Sequence, residues 1–307
     1  MGKDAIIDGN QRRMCNPCAE RKNTMYEKEC TFLRNTAKMA LRKYLSAPKD
    51  VSAKAEYDVV TTVDTDVEQF VMEEIRRNYP KDTILSEESH PTESLGKRTW
   101  VLDPIDGTWN FMGGSPLFGF QGAFCVDGKP VVSVIILPML REEYYAIKGK
   151  GAYCNGKKIS VFPKENLHQT IVSFSDYNHE QPLEKQPVYQ MQQRLYNKIG
   201  RLRGFGAACF DLTSVASGRT DAYVLVTHNL WDILPGAFLC KEAGASVCDI
   251  TGRKYQTNAD GIVVANSEKL KNVIVSAITG KSSKPRRRNN RNNKTGNNPN
   301  NGKAGKE

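Results

Sequence analysis

WVLDPIDGTWNF, residues 100–111, is an apolar run that ends in two carboxylates, a glycine and a hydroxyl. Trp100-Val101-Leu102 reads as a buried strand, and its end is an unfavourable place for unpaired charge. Two carboxylates about 4 Å apart repel by about 4 kcal/mol at an effective dielectric of about 20. Asp103 and Asp106 therefore call for a cation, a shared proton or separation in space. Pro104 stiffens the turn between them, so that both can flank one cation pair. Gly107 lets the backbone approach an anion closely. Thr108 offers a hydroxyl and an amide at the start of a helix, where free N–H groups and the helix dipole favour phosphate. A lone DxxD is commonly a capped turn; the full string DPIDGT behind an apolar strand is far rarer. Magnesium, a hard cation that keeps several waters, suits such a site with no histidine close by.

Upstream, helical spacing of Phe32, Ala37, Ala40, Leu41 and Tyr44 predicts an amphipathic helix, and the folded domain is expected to start near Met25. DVVTTVDTDVEQFVMEEIRRNYP (58–80) reads as a β-branched run followed by a helix that stops before Pro80. TILSEES (83–89) is a second strand running into acids, Glu87 and Glu88. Downstream, FGFQGAFCV and PVVSVIIL flank Asp127-Gly128, whose residues tolerate the positive φ angles of a tight hairpin. EEYYAI and AYCNGKKI predict another antiparallel pair. Beyond them strands and helices alternate: IVSFS, a helix over about 184–198, RLRGFG, a helix through ACFDLTSVASG, AYVLV, ILPGAFLCKEAG, SVCDI, GIVVANS and a last helix over about 268–278. The pattern predicts a layered α/β protein of mixed α and β structure. Asp232 stands at the start of the ILPGAFLCKEAG helix, and Pro235 is placed in its first turn, where a missing donor costs nothing.

Two of these stretches, WVLDPIDGTWNF and WDILPGAFLCKEAG (231–244), resemble the two signatures of the inositol monophosphatase superfamily. ILSEES (84–89) and DVVTTVDTDVE (58–68) resemble its two other acidic segments, in the expected order. The resemblance runs from about Met25 to Ile278. It implies a layered αβαβα sandwich, magnesium dependence with two to three ions per site, lithium sensitivity and a homodimer. Carried over residue by residue, Glu87, Asp103 and the Ile105 carbonyl would bind the ion that activates water. Asp103, Asp106 and Asp232 would hold a second ion at the leaving oxygen, and a third would lean on Glu87. Thr108, held by Asp64, would orient the attacking water; Glu87, Thr108 and Asp64 are the candidate catalytic residues. The amides of Gly107 and Thr108 would bind phosphate, and the Ala208 amide a substrate hydroxyl. Asp103, Ile105, Asp106 and Asp232 complete the expected substrate-binding set.

The implied activity is hydrolysis of a small phosphomonoester, with inositol-1-phosphate first among the candidates. Leu225 departs from the pattern, since inositol-specific relatives place an acid seven residues before the helix aspartate. The GGSP stretch after Asn110-Phe111-Met112 resembles histidinol-phosphate phosphatases, and fructose-1,6-bisphosphate and 3′-phosphoadenosine phosphates stay open as substrates. Other phosphatase chemistries fit less well. Asp64-Thr65-Asp66-Val67 resembles the nucleophile motif of haloacid-dehalogenase-like enzymes, but Glu68 holds the place that needs Thr or Val. Cys15 to Arg21 has CxxxxxR spacing without the glycines of a phosphate loop. A non-enzymatic scaffold would have no reason to keep mutually repelling acids. His228 is a lone histidine and Trp231 a packing residue.

The net charge of +10 lies mostly in one place. Residues 281–307 hold nine Lys or Arg against one acid, eight of the ten net charges, which leaves two for the rest. That tail has no large apolar residue and is expected to be disordered, an arm for non-specific contact with RNA or another polyanion. Residues 1–24 are a polar extension. The longest apolar run, 131–140, is too short to span a bilayer and no secretory signal is visible, so a cytoplasmic protein is expected. The eight cysteines lack the close spacing of a disulfide scaffold, and the Cys15/Cys18 pair finds only Cys30 nearby as a further soft ligand.

Overall fold

The computed structural model describes residues 25–47, 50–55, 58–177 and 181–281. The Cys15/Cys18 pair, the polar extension and the basic tail beyond Lys281 lie outside them. Five layers follow from which faces are apolar. Helices α1 (Glu27–Tyr44) and α2 (Thr62–Asn78) form the first layer. A seven-stranded sheet forms the second, with β3 (Thr83–Ser86), β4 (Arg98–Asp106), β5 (Gly119–Val126), β6 (Lys129–Leu137), β7 (Glu142–Ile147), β8 (Gly151–Cys154) and β9 (Lys157–Ile159) in sequence order. Helices α5 (Ala208–Ala216) and α6 (Leu230–Glu242) lie in the middle. A second sheet follows, built from β10 (Ile171–Phe174), β11 (Arg201–Gly204), β12 (Ala222–Leu225), β13 (Ser246–Asp249) and β14 (Ile262–Ala265) in the order β11-β10-β12-β14-β13. Helices α4 (Pro187–Leu195) and α7 (Glu268–Thr279) cover its outer face. This is the expected αβαβα sandwich.

Strand alternation assigns the two faces of β4. Trp100 and Leu102 enter the core shared with α1 and α2, while Val101 packs with Ala123, Cys125, Trp231 and Leu234 on the α6 side. Asp103 shares the parity of Val101 and so faces α6. Asp106, three residues on, would face the other way in a regular strand. The β4–β5 register shifts between Asp103 (opposite Gln121) and Asp106 (opposite Gly119), and this bulge turns Asp106 back toward the α6 side.

Two helix expectations are corrected. The predicted 184–198 helix is a 3₁₀ turn at Leu183–Lys185 followed by α4 from Pro187, because proline serves as a first helical residue but cannot continue a preceding turn. Pro235 lies inside α6, six residues in, since the helix starts at Leu230 behind Asn229. Its own carbonyl accepts the Ser133 hydroxyl of β6 at 2.7 Å. The Asp127-Gly128 hairpin forms as expected, with φ of 48° and 70°.

A short strand pair, β1 (Val51–Ala55) and β2 (Asp58–Thr61), stands apart from both sheets. The sheet is tied to α1 by Glu143, which accepts Arg34 Nε at 2.7 Å and Lys38 Nζ at 3.4 Å while Arg34 stacks 3.9 Å over Tyr145. Burial by itself raises the Glu143 carboxyl, but Arg34 and Lys38 outweigh it and hold the group below the usual carboxylate range. A depressed acid stabilises the fold above its unfolded value and loses that contribution as pH falls through the folded one. Glu143→Gln is therefore expected to cost about 1 kcal/mol at pH 7 and progressively less in acid, as pH falls through the lowered folded-state value. Urea unfolding at pH 7 and in acid checks this; a pH-independent difference would refute the ion-pair account.

Candidate active site

Asp64 reaches the site through a helix cap. Thr61 precedes α2 and Asp64 is its third residue, so the two form a capping box: Asp64 Oδ2 accepts the Thr61 amide at 3.1 Å and the Thr61 hydroxyl. The other oxygen, Oδ1, faces the Thr108 hydroxyl at 3.2 Å. Thr108 Oγ1 also lies 3.0 Å from the Ile105 carbonyl, so its single proton is shared between two acceptors and its lone pairs stay available to a water. Thr108 opens α3 (Thr108–Met112) behind Gly107, which has φ 84°. Burial raises the Asp64 carboxyl, and its bonds to Thr61 and Thr108 work in the opposite direction.

Asp103, Asp106 and Asp232 converge from the end of β4 and the first turn of α6. One ligand atom of each lies within 4.8 Å of the others, the one such cluster of metal-ligating side chains among the described residues. Each is pushed well up or up by burial. The charges of Glu87, Asp106 and Asp232 add to the effect at Asp103, and those of Asp106 and Glu87 at Asp232. Asp106 is relieved by the start of α5, where the Cys209 amide donates to Oδ2 at 2.5 Å and the Ala208 amide contributes. Asn229 does the same for Asp232. Asp103 keeps a buried oxygen, Oδ1, without a partner. Three carboxylates this close, one of them with a buried oxygen that has no hydrogen-bond partner, are the donor set a hard divalent cation needs.

Glu87 follows β3 and stands outside that trio. Its carboxylate accepts Lys54 Nζ of β1 at 3.1 Å, and Lys54 also meets Glu88 at 2.5 Å. Burial pushes the Glu88 carboxyl up to about 7. For Lys54 burial acts downward, and the two glutamates outweigh it to raise the ammonium. Behind this turn, buried Glu68 accepts the Glu88 amide at 2.9 Å and the Ser89 hydroxyl. Of the sequence-predicted residues, Asp103, Asp106 and Asp232 are brought together, Asp64 with Thr108 and Ile105 forms a hydrogen-bonded neighbour, and Ala208 is turned to Asp106. His228 is exposed, pairs with Asp260 at 3.7 Å and is not a member of the trio.

The family model for inositol monophosphatases matches residues 22–282. The chain belongs to the inositol monophosphatase family. A Thermotoga maritima protein named fructose-1,6-bisphosphatase/inositol-1-monophosphatase is 31% identical over 230 residues, covering 73% of this chain and 86% of that one. The Dictyostelium discoideum inositol monophosphatase is 33% identical, covering 74% and 85%, and the Escherichia coli Nus factor SuhB is 32% identical over the same shares. Among solved structures, a Thermotoga maritima inositol monophosphatase superposes with a TM-score of 0.72 at 28% identity, covering 83% of this chain and 98% of that one. The family accounts for the five layers.

Sequence reasoning missed four contributors. Lys54 looks like any exposed hairpin lysine, and Glu68 like any helix glutamate. The Cys209 amide carries no side-chain signature at all. Gln121 does have one, as the single polar side chain of FGFQGAFCV.

Proposed function

We propose that this phosphatase-family chain hydrolyses a small phosphomonoester by direct attack of water, with inositol-1-phosphate the leading substrate. The convergence of Asp103, Asp106 and Asp232 beside the Thr108–Asp64 pair carries the reading. Glu87, Asp103, the Ile105 carbonyl, Asp106 and Asp232 would hold two to three magnesium ions. When bound, these ions lower the pKa of water and neutralise charge on the phosphoryl and leaving oxygens. The remaining work falls to the chain. Asp64 fixes the Thr108 hydroxyl, which accepts a hydrogen bond from the attacking water and aims it. The Gly107 and Thr108 amides would receive phosphate oxygens. The Ala208 amide would have to be shared with Asp106 to reach a hydroxyl.

The leaving group would sit toward Asn229, the residue before α6, where a cavity of about 520 Å³ is lined by Asp176, Lys185, Thr227 and His228. These polar groups suit a polyol or an amino alcohol. Leu225 is buried at the end of β12 and offers no carboxylate to a sugar hydroxyl. We infer further that residues 25–280 form the catalytic unit and that the basic tail adds polyanion contact, a reading favoured by relatives named Nus factor SuhB. No helix among the described residues is long and apolar enough to cross a membrane.

The test is hydrolysis of inositol-1-phosphate, histidinol phosphate, fructose-1,6-bisphosphate and 3′-phosphoadenosine-5′-phosphate, with and without magnesium. It is run on the full chain and on a chain lacking 281–307. Magnesium-dependent release of phosphate is expected from both, with RNA retention weakened only in the shortened one. Phosphate release unchanged by chelation, or a trapped phosphoenzyme, would overturn the mechanism.

A further inference from the structure

Gln121 is a fully buried amide on a face of β5 otherwise made of small residues, Gly119, Ala123 and Cys125. The antiparallel register sets it directly opposite Asp103. The two side chains therefore leave the sheet side by side, toward α6. Nε2 of Gln121 donates to Asp103 Oδ2 at 3.4 Å, a long bond. Two atoms of this pair, Asp103 Oδ1 and Gln121 Oε1, are buried without partners. An ionised carboxylate has no proton to give, so the amide must turn Nε2 to Asp103 and Oε1 away from it.

A carboxylate rotates freely about its last torsion, and one donor on one oxygen fixes the plane of the group. We propose that Gln121 is a positioning residue for the divalent cation, holding Oδ2 of Asp103 so that Oδ1 stays presented to the ion. The inference rests on Asp103 being a cation ligand, as proposed above. A purely structural amide, stitching β4 to β5, would make a different prediction.

The experiment is calorimetric titration of the full chain with magnesium chloride alone, without substrate, together with melting of the metal-free protein. Gln121→Leu, close in volume, is expected to bind magnesium about tenfold more weakly, the usual scale for losing a group that orients a ligand. Its metal-free melting temperature should match or exceed that of the wild type, because a poorly satisfied buried amide has gone. Gln121→Met, more adaptable in shape, should show the same weakening. Wild-type affinity in both variants, a fallen melting temperature with affinity intact, or failure of both to fold would overturn the positioning role and leave a structural one. If the wild type itself takes up no magnesium, and Asp103→Asn behaves identically, the cation site fails rather than Gln121's part in it.

Discussion

Asp103→Asn is expected to lower magnesium-dependent turnover by about 10³-fold or more while raising the melting temperature of the metal-free protein. Asp103 has ligand atoms of Asp106 and Asp232 within 4.8 Å, and Glu87 adds to its charge environment. At such separations each pair repels by roughly 3 kcal/mol at an effective dielectric of about 20. Neutralising one member removes two of the three repulsions within the trio. Because burial already favours protonation of some of these groups, the net gain is smaller, about 1–3 kcal/mol, or several degrees for a domain of this size. Losing a ligand at the transition state costs about 4 kcal/mol or more, which sets the rate factor. Melting curves give a sign test. Magnesium should raise the wild-type melting temperature by mass action and leave Asp103→Asn nearly unmoved, so the order of the two proteins reverses when magnesium is added. A variant that is both active and magnesium-stabilised would remove Asp103 from the site.

Gly107→Ala is expected to cost about 2–4 kcal/mol of stability and at least about 100-fold in kcat/KM. Gly107 has φ 84°, where an L side chain costs about 1–2 kcal/mol. A Cβ there would lie 2.8 Å from Ala207 Cβ and 3.2 Å from the Leu117 carbonyl oxygen. Both neighbours are anchored to backbone and cannot swing away, so the chain before α5 must move. That movement carries the Ala208 and Cys209 amides off Asp106 and shifts Thr108 relative to Asp64. Urea unfolding and steady-state kinetics measure the two losses. The double variant Gly107→Ala/Ala207→Gly removes the nearest clash while keeping the strained φ. It should recover much of the activity and only part of the stability. Equal losses in single and double variants would show that backbone strain, not contact with Ala207, is responsible.

Much of the site's chemistry was legible in residues whose types conflict with their surroundings. Carboxylates at the ends of buried strands called for a cation, while the Thr61–Asp64 helix cap that supports Thr108 emerged from the structure. Pro235 misled, because its place in α6 depends on where the helix begins, and Asn229 and Asp232 begin it a turn early. Glu87 lies close enough to add its charge at Asp103 and Asp232, and it also pairs with Lys54 of β1, a partner 33 residues away that no local pattern announces.

The sequence by itself determined the order of the elements, the alternation of strands and helices that forces layers, and the presence of acids at strand and helix ends whose mutual repulsion calls for a cation. These follow from periodicity and local sterics, which act over a few residues and can be read one stretch at a time. Only the tertiary structure decided how the acids are aimed. The bulge that turns Asp106 to the side of Asp103, the α5 amides that receive it and the cross-strand approach of Gln121 depend on register and packing between distant segments. Such contacts are set by the sum of many weak interactions across the sandwich, and no single stretch of chain encodes that sum.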